Sequence, residues 1–167
     1  MVEKKVQPGG VKSDKATMEG MYSIATAANA VTTYTSSPTT KASVGPIRVL
    51  HIEDDPEHAD LVKRWLTGDT TRNFKVEWVS ELLQALERLA EPDVDVILLD
   101  LGMPELGGYK SHVAVHAVAP SSPVVILTGD HRETSREFSL LAGVAGYLVK
   151  DQTSPGELRR ALRRALL

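Results

Sequence analysis

From residue 47 onward the chain alternates between two hydrophobic periods. Short apolar runs stand at Ile47–Ile52, Phe74–Val79, Val94–Leu99, Val124–Leu127 and Gly146–Val149. Three of them are almost wholly apolar, which is the pattern of strands covered on both faces. The stretches between them follow a helical period. Pro56 is a natural first helical residue, and apolar positions recur at Ala59, Val62, Trp65 and Leu66. A second helix holds Leu82, Leu83, Leu86, Leu89 and Ala90 and stops before Pro92. A third lies within Tyr109–Ala119, where the period of "YKSHVAVHAV" is the least clear. A fourth spans about Arg132–Ala142, with Gly143 as its C-terminal stop. The fifth opens on Ser154-Pro155-Gly156-Glu157, a capping box with proline just inside it. Its apolar stripe is Leu158, Ala161, Leu162, Ala165 and Leu166, while Arg159, Arg160, Arg163 and Arg164 fall on the other side as a solvated face.

Consecutive βα units predict an α/β fold: a doubly wound, five-stranded parallel sheet with right-handed crossovers and five helices on its two faces. The expected strand order is 2-1-3-4-5, which places ligand chemistry at the carboxyl ends of the strands, beside the switch between the first and third.

Residues 1–46 have no sustained apolar period. They carry five Lys, three acids and twelve Ser/Thr, giving a charge of +2 against −5 for residues 47–167. Such a segment cannot bury enough apolar surface to offset its ordering entropy. It reads as a disordered tail or linker, with a transient helix over Tyr22–Val31 and room for a docking motif. Residues 47–167 form the domain. The absence of Cys excludes disulfides, thiol catalysis and Cys-ligated zinc. No apolar run is long enough to span a bilayer, and no signal peptide is recognisable. A net charge of −3 gives no support for broad nucleic-acid or membrane binding. A cytoplasmic location is the expectation.

The strand ends carry the chemistry. Glu53, Asp54 and Asp55 follow the first strand, Asp100 follows the third, Thr128 ends the fourth and Lys150 ends the fifth. Carboxylates that share a site destabilise one another unless positive charge intervenes. Lys150 supplies one charge, and a hard divalent cation such as Mg²⁺, which prefers oxygen ligands and keeps several waters, supplies two more. An ion of that kind reverses the sign of the local field, so the site can hold a transferring phosphoryl group. Asp54 is the best-placed direct ligand, Glu53 reaches the ion directly or through water, and the Gly102 carbonyl completes the shell beside Asp100. Asp55, directly before Pro56, is the N-cap of the first helix. Asp100 is the nucleophile that attacks phosphorus to give an acyl phosphate. Lys150 pairs with the phosphoryl oxygens, and the Thr128 hydroxyl donates to them.

With "VLHIEDDP", "VILLDLGMP", "VVILTG" and "AGYLVK" in this order, residues 47–167 resemble a response-regulator receiver domain of two-component signalling. The resemblance implies a flavodoxin-like fold and Mg²⁺-dependent phosphorylation of Asp100 by a histidine kinase or phosphotransfer protein. It also implies a switch transmitted by Thr128 and by the aromatic residue of strand five, a position held by Tyr147. Pro104 matches the proline of the loop after the phosphoacceptor. One departure is Asp151, which follows Lys150 where the family commonly has proline.

The main reading is a phosphorylation-dependent signalling switch. It is an acceptor that phosphorylates itself and slowly loses the group to water, rather than a turnover enzyme. The chain stops just after the fifth helix, so the output is expected from a partner protein, the tail or a domain missing from this sequence. The alternative is a phosphorylation-independent interaction or dimerisation module on the same fold. An aspartyl-phosphate phosphatase is disfavoured because Leu101 and Gly102 stand where an Asp-x-Asp general acid would be. A flavin or dinucleotide site is disfavoured because the turn after the first strand is acidic rather than Gly-rich. His51 reads as a satisfied, half-buried histidine. His112 and His116 lie one helical turn apart, with no third metal ligand in evidence. The last helix–strand–helix face is a candidate homodimer surface, with its arginines opposite Glu133 and Glu137 of a second copy.

Overall fold

In a computed structural model, residues 45–68, 74–129 and 142–167 are described. They form one five-stranded parallel sheet: β1 (Ile47–Ile52), β2 (Phe74–Val79), β3 (Val96–Leu99), β4 (Val124–Thr128) and β5 (Val144–Val149), in the order β2-β1-β3-β4-β5. Four α-helices accompany it among the described residues: α1 (Pro56–Thr67), α2 (Leu82–Arg88), α3 (Tyr109–Val118) and α4 (Pro155–Arg164). The helix expected over Arg132–Ala142 lies almost wholly in residues 130–141, outside the described residues. So does the expected tail, in all but its last two residues. This is the flavodoxin-like, doubly wound fold with the strand order expected from the sequence.

The near-continuous apolar strands are buried on both faces because side chains alternate across the pleat. Leu50, Ile52, Ile97, Leu99, Val124 and Ile126 face one core with Leu82, Leu86 and Val115. Ile47, Val49, Val96, Leu98, Val125 and Leu127 face the other with Val62, Leu66, Leu158 and Leu162. Truncating any one of the fully buried leucines to Ala removes about 2–5 kcal/mol.

Local chemistry sets the element ends. The Asp55 carboxylate accepts from the amides of Glu57 and His58, and Pro56 opens α1 behind it. α2 has no cap of its own; its first amide, at Leu82, donates to Glu105 of the loop after β3. Ser154 and Glu157 form the full capping box of α4. Gly107 and Gly108 take φ of +66° and +53° ahead of α3, a region that glycine enters without a side-chain clash.

Several boundaries and surfaces differ from expectation. β3 begins at Val96 rather than Val94, because the Val94 carbonyl accepts from the Ser122 hydroxyl at 3.2 Å and Asp95 turns its carboxylate onto the Arg48 amide and guanidinium. β5 begins at Val144, two residues early, across a register irregularity beside Val124/Val125. α2 ends at Arg88, short of Leu89 and Ala90. The arginine face of α4 is not simply solvated: Arg159 donates to the Trp65 carbonyl at 2.6 Å, and the Arg163 guanidinium sits 5.4 Å from the centre of the Phe74 ring.

Candidate functional site

The carboxyl ends of β1, β3 and β5 meet at Lys150. Its Nζ lies 2.8 Å from Oδ2 of Asp100, 2.7 Å from Oε2 of Glu53 and 2.9 Å from Oε1 of Glu53. Sheet order explains the meeting. β1 and β3 are paired neighbours, and β3 carries β4 and β5 beyond it. Asp100 and Glu53 therefore leave the sheet side by side, and the Asp100 amide still donates to the Ile52 carbonyl. Lys150 opens a short 3₁₀ turn, Lys150–Gln152, fastened by the Thr153 hydroxyl to the Val149 carbonyl. Asp151 is accommodated within that turn.

Asp100 is 5% exposed. Besides Lys150 it receives the Gly102 amide, which donates to Oδ1 at 2.9 Å. A Cβ on Gly102 would lie 3.2 Å from Oδ2 of Asp100, so the turn is tight against the carboxylate. Burial is the largest influence on Lys150 and by itself lowers its pKa. Hydrogen bonds to Asp100 and Glu53, with their charges, outweigh it and hold the ammonium above its ordinary value.

The three consecutive acids occupy three environments. Glu53 is fully buried and Asp54 is exposed, while Asp55 caps α1. Oxygens of Glu53, Asp54 and Asp100 lie within 4.8 Å of one another. This all-oxygen set, partly open to solvent through Asp54, fits a hard cation such as Mg²⁺. Thr128 ends β4, buried and in register with Val149, and the Lys150 stem runs past the neighbouring Gly129. Tyr147 pairs with Ile126 and packs on the α2–α3 core.

Sequence reasoning missed three side chains beside Glu53. Nδ1 of His58 lies 2.6 Å from its Oε2, and the Trp78 indole donates to its backbone carbonyl at 2.8 Å. His51 is the third and corrects an expectation: it is fully buried, and neither ring nitrogen has a hydrogen-bond partner among the described residues. Its Nε2 is 3.8 Å from Oε2 of Glu53. Burial, with His58 and Lys150 nearby, lowers its pKa from 6.5 to about 3, so this is a neutral imidazole rather than half of an ion pair. The available signal was a polar residue, His51, two places before an acid on a strand otherwise apolar on that face. His112 and His116 stack at 5.8 Å between ring centres, and His112 meets the Ala142 carbonyl at 3.0 Å. Burial lowers the pKa of both.

Residues 49–163 match the profile of the response regulator receiver domain. The chain belongs to that family. Among curated relatives, this receiver is 30% identical over 105 residues to the autoinducer 2 sensor kinase/phosphatase LuxQ of Vibrio vulnificus, covering 62% of the chain and 12% of LuxQ. It is 29% identical over 104 residues to the transcriptional regulatory protein ZraR of Klebsiella oxytoca, covering 62% of the chain and 23% of ZraR. With the response regulator MprA of a Mycobacterium species the figures are 28% over 105 residues, 63% and 44%. The chain thus spans under half the length of each of these relatives. Among solved structures, a CheY-like receiver from Methanospirillum hungatei superposes with a TM-score of 0.63 at 23% identity, covering 73% of this chain and 94% of that one. The receiver domain of a sensor histidine kinase from Pseudomonas aeruginosa PAO1, which has a magnesium ion coordinated in its active-site cleft, gives 0.62 at 27% identity, with 73% and 98% covered. Among the described residues, no helix of this receiver is long and apolar enough to cross a membrane.

Proposed function

We propose that residues 47–167 are a signalling switch that accepts a phosphoryl group on Asp100, with residues 1–46 as a tail or linker. The observation that carries this reading is the pairing of buried Asp100 with Lys150 at 2.8 Å beside the oxygens of Glu53 and Asp54. Lys150 and the Gly102 amide hold the Asp100 carboxylate in one orientation before any donor arrives. An Asp100 oxygen attacks the phosphorus of a phosphohistidine on a histidine kinase or phosphotransfer protein. The new O–P bond forms as the P–N bond breaks, and the imidazole nitrogen keeps the electron pair and takes a proton from solvent. Lys150, released from the carboxylate it now neutralises, pairs with the phosphoryl oxygens, and the Thr128 hydroxyl donates to them. Asp54, Asp100, Glu53 and the Gly102 carbonyl would hold Mg²⁺, which when bound neutralises charge on the transferring group.

Thr128 and Tyr147 carry the change of state to the β5–α4 side, as a population shift biased by the phosphoryl group. A downstream protein or a further domain reads it, in the cytoplasm. That side is also where a homodimer would form, although Arg159 and Arg163 are already engaged within the chain and Glu133 and Glu137 lie outside the described residues.

Incubation with acetyl phosphate and Mg²⁺, followed by intact-mass analysis, tests the reading. One phosphoryl addition is expected, removed by Asp100→Asn. If neither acetyl phosphate nor a cognate kinase labels the wild type under conditions that label another receiver, the phosphorylation-independent module takes its place.

A further inference from the structure

Glu53 belongs to two groups of potential ligands. One is the all-oxygen set with Asp54 and Asp100; the other is His51, Glu53 and His58, whose donor atoms also lie within 4.8 Å of one another. We propose that His51, Glu53 and His58 bind a borderline divalent transition-metal ion of the Zn²⁺ type, at a site adjoining the oxygen set but distinct from it.

Three observations carry this. First, His51 is fully buried with both ring nitrogens unpartnered among the described residues. A buried polar group without a partner costs about 1–3 kcal/mol, and such exceptions call for an explanation. An ion accepting the Nε2 lone pair supplies one. Second, the two imidazoles approach the same carboxylate oxygen. Oε2 of Glu53 is 2.6 Å from Nδ1 of His58 and 3.8 Å from Nε2 of His51, with the rings edge-on at 6.3 Å between centres. Two histidines and one glutamate are a known zinc donor set, which leaves a fourth position for water. Nitrogen donors favour Zn²⁺, Ni²⁺ or Cu²⁺ over Mg²⁺.

Third, the frame is rigid and has an entrance. His51 is fixed in β1 between two paired strands, and His58 lies in the first turn of α1, whose start Asp55 pins. The His58 side chain remains 14% exposed, so an ion can enter beside it. Glu53 can serve both neighbours. Lys150 Nζ contacts both oxygens, Oε2 at 2.7 Å and Oε1 at 2.9 Å; when Oε2 turns to the ion Lys150 keeps Oε1, and it then orients the ligating carboxylate from outside the coordination shell.

The test is Zn²⁺ titration of the full chain by calorimetry in excess Mg²⁺, with Co²⁺ substitution read by visible absorption. The expected result is one Zn²⁺ per chain that Mg²⁺ does not displace. His58→Gln and His51→Phe should each weaken it at least tenfold and abolish the Co²⁺ bands; His58→Gln changes a partly exposed helix residue, so the result does not hang on a core substitution. His112→Gln/His116→Gln and Asp54→Asn should leave affinity within about twofold. No Zn²⁺ uptake up to ~1 mM overturns the proposal. So does wild-type affinity in either single-histidine variant, or a loss in Asp54→Asn as large as that in His58→Gln. Calorimetry does not require Asp100 to accept phosphorus, so retention of Zn²⁺ binding in Asp100→Asn separates this inference from the switch reading.

Discussion

The turn that follows β1 carries three consecutive carboxylates, whereas β3 ends on one, Asp100, with Glu105 farther along its loop on the first amide of α2. The three acids enter three environments: Glu53 goes inward to Lys150 and His58, Asp54 outward to solvent, and Asp55 onto the first amides of α1, while oxygens of Glu53 and Asp54 stay within 4.8 Å of each other and of Asp100. Asp100 is held by a lysine and a backbone amide, as Glu53 is by the same lysine and the Asp55 amide. Neighbouring acids thus take three environments, two of them beside Asp100 and one at a helix end, and Asp100 sits where the strand ends concentrate positive charge and hydrogen-bond donors.

The sharpest way to break this contrast is to remove the single acid. Asp100→Asn keeps the size of the side chain and an acceptor for the Gly102 amide, yet should eliminate base- and hydroxylamine-labile acyl phosphate altogether. Residual labelling on Glu53 or Asp54 would show that the two turns are interchangeable.

A second effect isolates the β1 side. The pKa of His51 is about 3 in the folded protein against an ordinary 6.5, so the unfolded chain takes up the proton first as pH falls. The stability this group contributes is whole above pH 6.5 and is lost on the way down toward 3. Between pH 7 and pH 4 the linked loss is about 3 kcal/mol. Urea unfolding should find that loss in the wild type and a shallower pH dependence in His51→Phe.

Smaller still, Glu53→Gln leaves Lys150 paired with Asp100 but removes a buried charge that Lys150 and His58 both contact. A loss of about 1–3 kcal/mol is expected in the same unfolding assay. The least effect belongs to the cap. Asp55→Ala should cost about 1 kcal/mol and leave the extent of phosphoryl labelling unchanged, since Asp55 contacts neither Asp100 nor Lys150. A labelling defect in Asp55→Ala would mean that the three acids of the β1 turn are not functionally separable.

Much of this was legible from residues alone, because strand ends are where sequence and space coincide. Once five apolar runs were ordered 2-1-3-4-5, Asp100 and Lys150 had to converge, and Asp55-Pro56 announced a helix start. What stayed hidden depends on angles rather than order. His58 reaches Glu53 only because α1 rises directly from a capped turn, and Trp78 reaches the Glu53 carbonyl only through the β1–β2 register, in which Ile52 pairs with Val79. The indistinct period of α3 has its cause in burial. Ser111, His112, Ala114 and Val115 are all buried, so polar and apolar side chains share one covered face. His51 was misread because a buried histidine ordinarily finds a partner, and no pattern in one sequence reveals that this one does not.

Trp78 has a practical consequence. Its indole N–H is tied to the backbone carbonyl of Glu53, the residue whose carboxylate grips Lys150, while the ring stays 43% exposed. The chain has one other tryptophan, Trp65 on α1. With Trp65 replaced by Phe, the intrinsic fluorescence of a single indole would come from a ring bonded directly to the main chain of the acidic pocket. The protein thus carries its own optical probe, with which the proposed ion entry and phosphorylation of Asp100 can be followed in real time without a dye.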